Sequence, residues 1–194
     1  MKRLFVGLFP LVVIVSCKNT VHLPQESVEI DHIKLTPSDS FRITIQGINL
    51  SEDMSRLSTK NDEIFVLVYE YFDSLQLNEP LVSKELLLAG KGAIKTFRAS
   101  IKQELNIDRL LFLLIEQDSE RPKEQLDPII RVYYRELMEA YHSHDYDRIE
   151  KYLGDEDVLG IKVIERFGKN GAVEFKLTGI HKLDKYEYHV KISR

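Results

Sequence analysis

The side chains able to do chemistry fall into three groups, and each points to a different kind of work. Asp53, Asp62, Glu116, Asp118, Asp155 and Asp157 lie in or beside polar segments. Carboxylates are hard oxygen donors, and calcium takes about 6–8 such oxygens. If the loops carrying these six share one end of a fold, they make a calcium site; otherwise they hold no cofactor. Aspartate also favours turns through its own backbone, so solvated loop acids are the alternative. His142-Ser143-His144-Asp145 sets two imidazoles beside an acid, donors that suit zinc or copper. Residues two apart do not share a helical face, so a metal needs this segment to be non-helical; otherwise the histidines complement a helix C-terminus. The third group is aromatic. Tyr133, Tyr134, Tyr141, Tyr146 and Tyr152 crowd one stretch of the chain, and rings with a polar tip suit binding surfaces.

Catalytic motifs are missing from the sequence. No Gly-rich phosphate loop precedes a helix, no nucleophile elbow occurs, and no serine stands in a recognisable setting with His and Asp. The chain is not expected to be an enzyme.

The elements that must position these groups are mostly strands. Phe41 to Ile48 alternates apolar and polar residues, the mark of a strand with one buried face. Ile64 to Tyr71 is almost continuously apolar and β-branched, which predicts a central strand. Arg109 to Glu116 has the same buried character. Leu81 to Leu88 and Lys95 to Lys102 are further strands on either side of a Gly90-Lys91-Gly92 turn. Val158 to Arg166, Val173 to Thr178 and Tyr186 to Ile192 follow, with a Lys169-Asn170-Gly171 hairpin signal between the first two.

Between them the period changes. Leu126-Asp127-Pro128 predicts a helix start, with Asp127 as N-cap and Pro128 in the first turn. Ile129, Val132, Tyr133, Leu137, Ala140 and Tyr141 recur at three- and four-residue steps and define the expected core face. A second stripe, Ile130, Tyr134 and Met138, runs partly off that face. Exposed, it is a surface for docking a partner; alternatively both stripes are buried. Tyr146 to Leu153 predicts a second short helix that ends at Gly154. Seven or eight antiparallel strands with short turns, interrupted once by helices at 124–153, argue a mainly β protein, an antiparallel β-sandwich with an inserted helical hairpin.

The N-terminus is different in kind. Met1-Lys2-Arg3 precedes the apolar run from Leu4 to Val15, and Ser16 precedes Cys17. Basic start, short apolar stretch and small residue are the layout of an export signal. Twelve apolar-run residues fall short of the roughly 20 needed to cross a bilayer. Ile14-Val15-Ser16-Cys17 resembles the lipobox of bacterial lipoproteins. That resemblance implies diacylglycerol on the Cys17 thiol, cleavage before Cys17 and acylation of the new amine, which accounts for a lone cysteine in an exported chain. Residues 1–16 are then signal, 17–39 a lipidated tether broken by Pro24 and Pro37, with one short strand over Val28 to Leu35, and 40–194 the sandwich. Lys18-Asn19-Thr20 follows the cysteine, where outward-facing lipoproteins of one Gram-negative group often carry acids. An outer-membrane anchor facing the periplasm is expected.

Three segments of the body resemble C2 domains: Asn61 to Val66, Leu114 to Asp118, and Asp155 to Gly160. The resemblance implies that the acids meet at one end and bind calcium. Glu116 in place of aspartate and a helical insertion between Asp118 and Asp155 depart from that pattern. Lipobox, tether, sandwich and inserted helix together also resemble the lipoprotein subunit of type VI secretion membrane complexes, which has a transthyretin- or C2-like sandwich. That architecture implies a structural adaptor held to the membrane by Cys17 and joined to another envelope protein. A calcium-dependent binding module for a carbohydrate or peptide is the second reading. Loss of Lys2 and Arg3 takes the net charge from −4 to −6, and no basic block exceeds a dipeptide. Nucleic acid and anionic lipid are therefore not expected partners of the body.

Overall fold

The computed structural model describes residues 33–37, 39–49, 62–72, 74–88, 92–102, 105–107, 109–116, 123–167, 170–180 and 186–194. Among these, ten strands and two helices follow in order. They are β1 (Ile33–Leu35), β2 (Ser40–Asn49), β3 (Asp62–Tyr71), β4 (Val82–Leu88), β5 (Ile94–Ser100), β6 (Leu105–Ile107), β7 (Arg109–Glu116), α1 (Lys123–Ser143), α2 (Tyr146–Leu153), β8 (Asp157–Ile164), β9 (Ala172–Thr178) and β10 (Glu187–Ser193). Eight strands form two four-stranded antiparallel sheets, ordered β5-β2-β10-β9 and β4-β3-β7-β8. β1 and β6 pair separately. The expected sandwich with its helical pair is the fold. β6 has no period of its own to betray it, being three residues long.

Side-chain alternation decides how each sheet packs. In β2, Phe41, Ile43 and Ile45 are buried while Arg42 faces solvent. In β10, Tyr188, Val190 and Ile192 do the same. These meet Ile64, Val66 and Val68 of β3 and Leu110, Phe112 and Leu114 of β7 in the core between the sheets. The alternate residues of β3 and β7, Phe65, Leu67, Tyr69, Leu111, Leu113 and Ile115, face the other way. They form a second core with Leu126, Ile130, Tyr134 and Leu137 of α1 and Ile149 and Leu153 of α2. That is why β3 and β7 read as unbroken apolar runs: both their faces are covered. Burying each large apolar side chain is worth about 1.5–3 kcal/mol. The helices are therefore one wall of a core, and the sheet could not keep its composition without them.

Two details fix the local geometry. The β7–β8 register slips between Leu114, paired with Gly160, and Ile115, paired with Val158. Leu159 is the extra residue of a bulge, which bends β8. Gly160 there lies against Leu177 of β9 in the other sheet. A Cβ on Gly160 would stand 2.6 Å from Leu177 Cβ, so this junction requires glycine.

The helix start differs from expectation. α1 begins at Lys123, so Pro128 is inside the helix and Asp127 is not an N-cap. Asp127 bonds across to the sheet instead. Its Oδ1 accepts a hydrogen bond from the Tyr69 hydroxyl at 2.8 Å, and its Oδ2 lies 3.6 Å from Arg131. The apparent cap signal belongs to a residue whose partner lies 58 positions away.

Candidate functional site

α1 is clamped by the segment between β3 and β4. Leu77 N–H donates to the Arg131 carbonyl at 3.0 Å. That carbonyl would otherwise serve the next helical turn, and an intruding donor of this kind bends a helix. The bend is present, with Tyr133 at φ −105°, ψ 17°. Arg131 Nε returns a bond to the Leu77 carbonyl at 3.1 Å. The Ser74 carbonyl accepts from Tyr134 Oη at 2.6 Å and from Arg135 Nη2 at 2.7 Å. Arg135 Nε donates to Tyr134 Oη at 2.9 Å.

This clamp decides between the two readings of the second stripe: Ile130 and Tyr134 share the core with Leu137 and Ala140 of the first. Ile130 and Tyr134 are buried, so they are not a docking surface; Met138 is half-buried beside them. The exposed residues are Val132 (45 %) and Tyr133 (38 %), which the periodicity assigns to the core. The Tyr133 ring stacks on Tyr152 of α2, centroids 4.5 Å apart. Both stripes are apolar at the right spacing, so periodicity alone could not choose between them. A loop carbonyl that satisfies the Tyr134 hydroxyl makes its burial possible.

Beside the clamp lies an open cleft of about 440 Å³, lined by Tyr71 at the end of β3 and by Arg135, Met138, Glu139 and His142 of α1. The helical four fall at i, i+3, i+4 and i+7 and so share one flank. The Tyr71 ring stands edge-on to Tyr134 (6.0 Å, 84°) and carries the Arg109 guanidinium over its face at 4.6 Å. Glu139 Oε2 takes Arg148 Nη2 of α2 at 3.0 Å. His142 Nδ1 donates to the Met138 carbonyl at 2.7 Å. The cleft has a soft apolar floor of Tyr71 and Met138 and a rim carrying both charge signs. It has a shape for holding a side chain. Met138 and His142 stand out in the sequence. Tyr71, Arg135 and Glu139 do not, although the i, i+3, i+4, i+7 spacing contains the signal for the helical members.

Two neighbouring phenols report how tightly the helices sit. Burial, reinforced by the Asp127 charge, pushes the Tyr69 hydroxyl far above its ordinary pKa of 10.0. Burial also raises Tyr141, whose hydroxyl donates to the Thr178 carbonyl at 2.7 Å.

The histidine cluster ends a helix. His144, at φ +58°, donates its N–H to the Tyr141 carbonyl at 3.2 Å, and Asp145 N–H reaches the Ala140 carbonyl at 2.8 Å. That pair of bonds around a left-handed residue is a Schellman stop. Asp145 then caps α2, its Oδ1 accepting from Arg148 N–H at 3.1 Å.

The candidate calcium ligands are only partly brought together. Glu116 ends β7 directly opposite Asp157 of β8. Glu116 is buried (2 %), as is Glu156, and Asp157 Oδ1 accepts from the Tyr146 hydroxyl at 3.1 Å. Asp155 is exposed. Asp53, Asp118, the Asp62 side chain and Cys17 lie outside the described residues. Among the described residues, no group of three His, Cys, Asp or Glu could hold a metal ion.

No protein-family model matches the chain, and no curated protein matches it by sequence. Two similar solved structures are C2 domains. One is described simply as the structure of a C2 domain, at 12 % identity over 79 % of this chain and 96 % of that one, with a TM-score of 0.33. The other is a C2 domain of a plant extended synaptotagmin 1, at 11 % identity over 81 % of this chain and 95 % of that one, with a TM-score of 0.34.

Proposed function

We propose that this chain is a lipid-anchored adaptor of a bacterial cell-envelope assembly, one that holds a partner protein and performs no catalysis. The observation that carries the reading is the cleft beside α1. It joins an adaptable apolar floor to a rim of mixed charge on a helix fixed from both sides, which suits capture of a projecting apolar side chain. The lipobox-like Ile14-Val15-Ser16-Cys17 would supply the anchor, with diacylglycerol on the Cys17 thiol and an acyl chain on its amine confining the sandwich to the outer membrane's periplasmic face. Confinement raises the effective concentration toward any partner in the same envelope. The membrane complex of type VI secretion is the assembly this architecture would fit.

The test is in cells. A photo-crosslinking residue at Glu139 should give one discrete adduct with an envelope protein. Tyr71→Ala with Met138→Ala should abolish the adduct while the purified chain still melts cooperatively. Cys17→Ser should release a folded chain that no longer functions. Normal function of that freely diffusing form, or an adduct indifferent to the cleft substitutions, would overturn the reading.

A further inference from the structure

The outer edge of β5 carries a feature that the cleft does not explain. In the antiparallel register Arg98 of β5 stands directly opposite Arg42 of β2, and both are exposed. The same row continues to Ser193 of β10 and Ala172 of β9, so no carboxylate in that row of the sheet answers them. Like charges directly opposite destabilise a sheet. Across the rest of this face the charges are matched: Lys191 meets Glu174, and Lys176 lies 2.7 Å from Glu187. Two residues along β2, the Thr44 and Thr96 hydroxyls are bonded at 2.9 Å.

β5 is also an end strand, seven residues long and without a bulge in its pairing to β2, and no described residue pairs with its outer side. Its inward residues Phe97 and Ala99 are only half covered. A cation on an edge strand by itself discourages association. A second guanidinium behind it, on an inner strand, adds nothing to that protection and only repulsion. What relieves two adjacent cations at an open edge is an anion arriving along that edge.

We propose that β5 accepts an extended acidic segment of a protein partner as an added strand. Main-chain groups of the segment would satisfy the open edge. Its alternate side chains would divide between the two faces. One set, apolar, covers Phe97 and Ala99. The other places a carboxylate beside Arg98, completing the row that now ends in two positive charges. This surface is separate from the cleft and does not depend on it.

The probe is a synthetic capped peptide, Thr-Val-Glu-Val-Glu-Val-Thr, titrated against the full chain in non-ionic detergent; a second peptide has lysine for each glutamate. The glutamate peptide should bind, protect backbone amides of β5 from exchange, and leave the cleft unchanged. Arg98→Glu reverses one contact from attraction to repulsion and should weaken it about tenfold, with a smaller loss for Arg42→Glu. Both variants change exposed side chains, so the fold is kept, and both should raise the affinity of the lysine peptide. Equal binding of the two peptides, no binding, or protection away from β5 would overturn the proposal. So would sedimentation with anionic lipid vesicles that Arg98→Glu abolishes while the peptide is ignored, since that would assign the two arginines to a bilayer surface.

Discussion

Gly160→Ala should destabilise the chain by forcing the two sheets apart. The new Cβ would lie 2.6 Å from Leu177 Cβ, 2.7 Å from Cδ1 and 2.8 Å from Cγ. Carbon atoms rest at about 3.5–4.0 Å, so the approach is short by roughly 1 Å. Rotating Leu177 can remove Cγ and Cδ1 from the contact but not Cβ, which is fixed to the backbone of β9. Either β9 retreats from β8 or the bulge at Leu159 opens, and both strands are held by ladder bonds to their own sheets. Overpacking of this kind costs about 1–3 kcal/mol. For a domain of this size each kcal/mol lowers Tm by about 2–4 °C, so a fall of about 2–12 °C is expected. Thermal melts followed by far-UV circular dichroism would read it. The contact also predicts non-additivity with a substitution that removes the Leu177 Cβ: Leu177→Gly should cost less in the Gly160→Ala background than alone, by about 0.5–1.5 kcal/mol. A Gly160→Ala melt unchanged to within about 1 °C, or strict additivity with Leu177→Gly, would refute the reasoning.

Three other outcomes follow from named contacts. Tyr134→Phe should cost about 1 kcal/mol, at the low end because Arg135 still bonds the Ser74 carbonyl, and should speed exchange of the Leu77 amide in hydrogen-exchange mass spectrometry. The Tyr69 pKa is raised by folding, so the unfolded phenol ionises first. The stability this group contributes is complete below its ordinary value of 10.0 and is lost as pH rises above that; Tyr69→Phe should flatten the alkaline limb of a urea-midpoint-against-pH curve by about 1.4 kcal/mol per pH unit. His144→Gly should raise the stability read from the urea midpoint by about 0.5–1 kcal/mol, because φ +58° is a conformation that glycine adopts without a Cβ penalty.

How much of this was legible in the sequence depended on the range of the interactions. The alternation of Phe41 to Ile45 and the unbroken run of Ile64 to Tyr69 mark strands locally, because pleat and double-sided burial act residue by residue. The helical pair was legible for the same reason. What failed were choices made by distant partners. Asp127 looks like a cap until Tyr69 arrives from β3. Whether Tyr134 is wet or buried stays open until the Ser74 carbonyl accepts its hydroxyl. The cleft needed Tyr71 placed beside Met138, a juxtaposition no spacing contains. Net charge is uninformative in a related way. A chain at −4 overall can still set Arg42 against Arg98, because register concentrates charge that composition averages away.

The cleft beside α1 and the edge of β5 belong to different layers. The helices cover the outer face of the β4-β3-β7-β8 sheet, while β5 ends the sheet on the far side of the inter-sheet core. Among the described residues, ligands at these places share no side chain, so their binding energies should add to within about 0.5 kcal/mol. Saturating the β5 edge with the glutamate peptide should therefore leave the Glu139 crosslink at full yield. Competition between them would mean that the sandwich transmits strain from edge to helix through β2, β10 and the core, and the two surfaces would then be one switch instead of two holds.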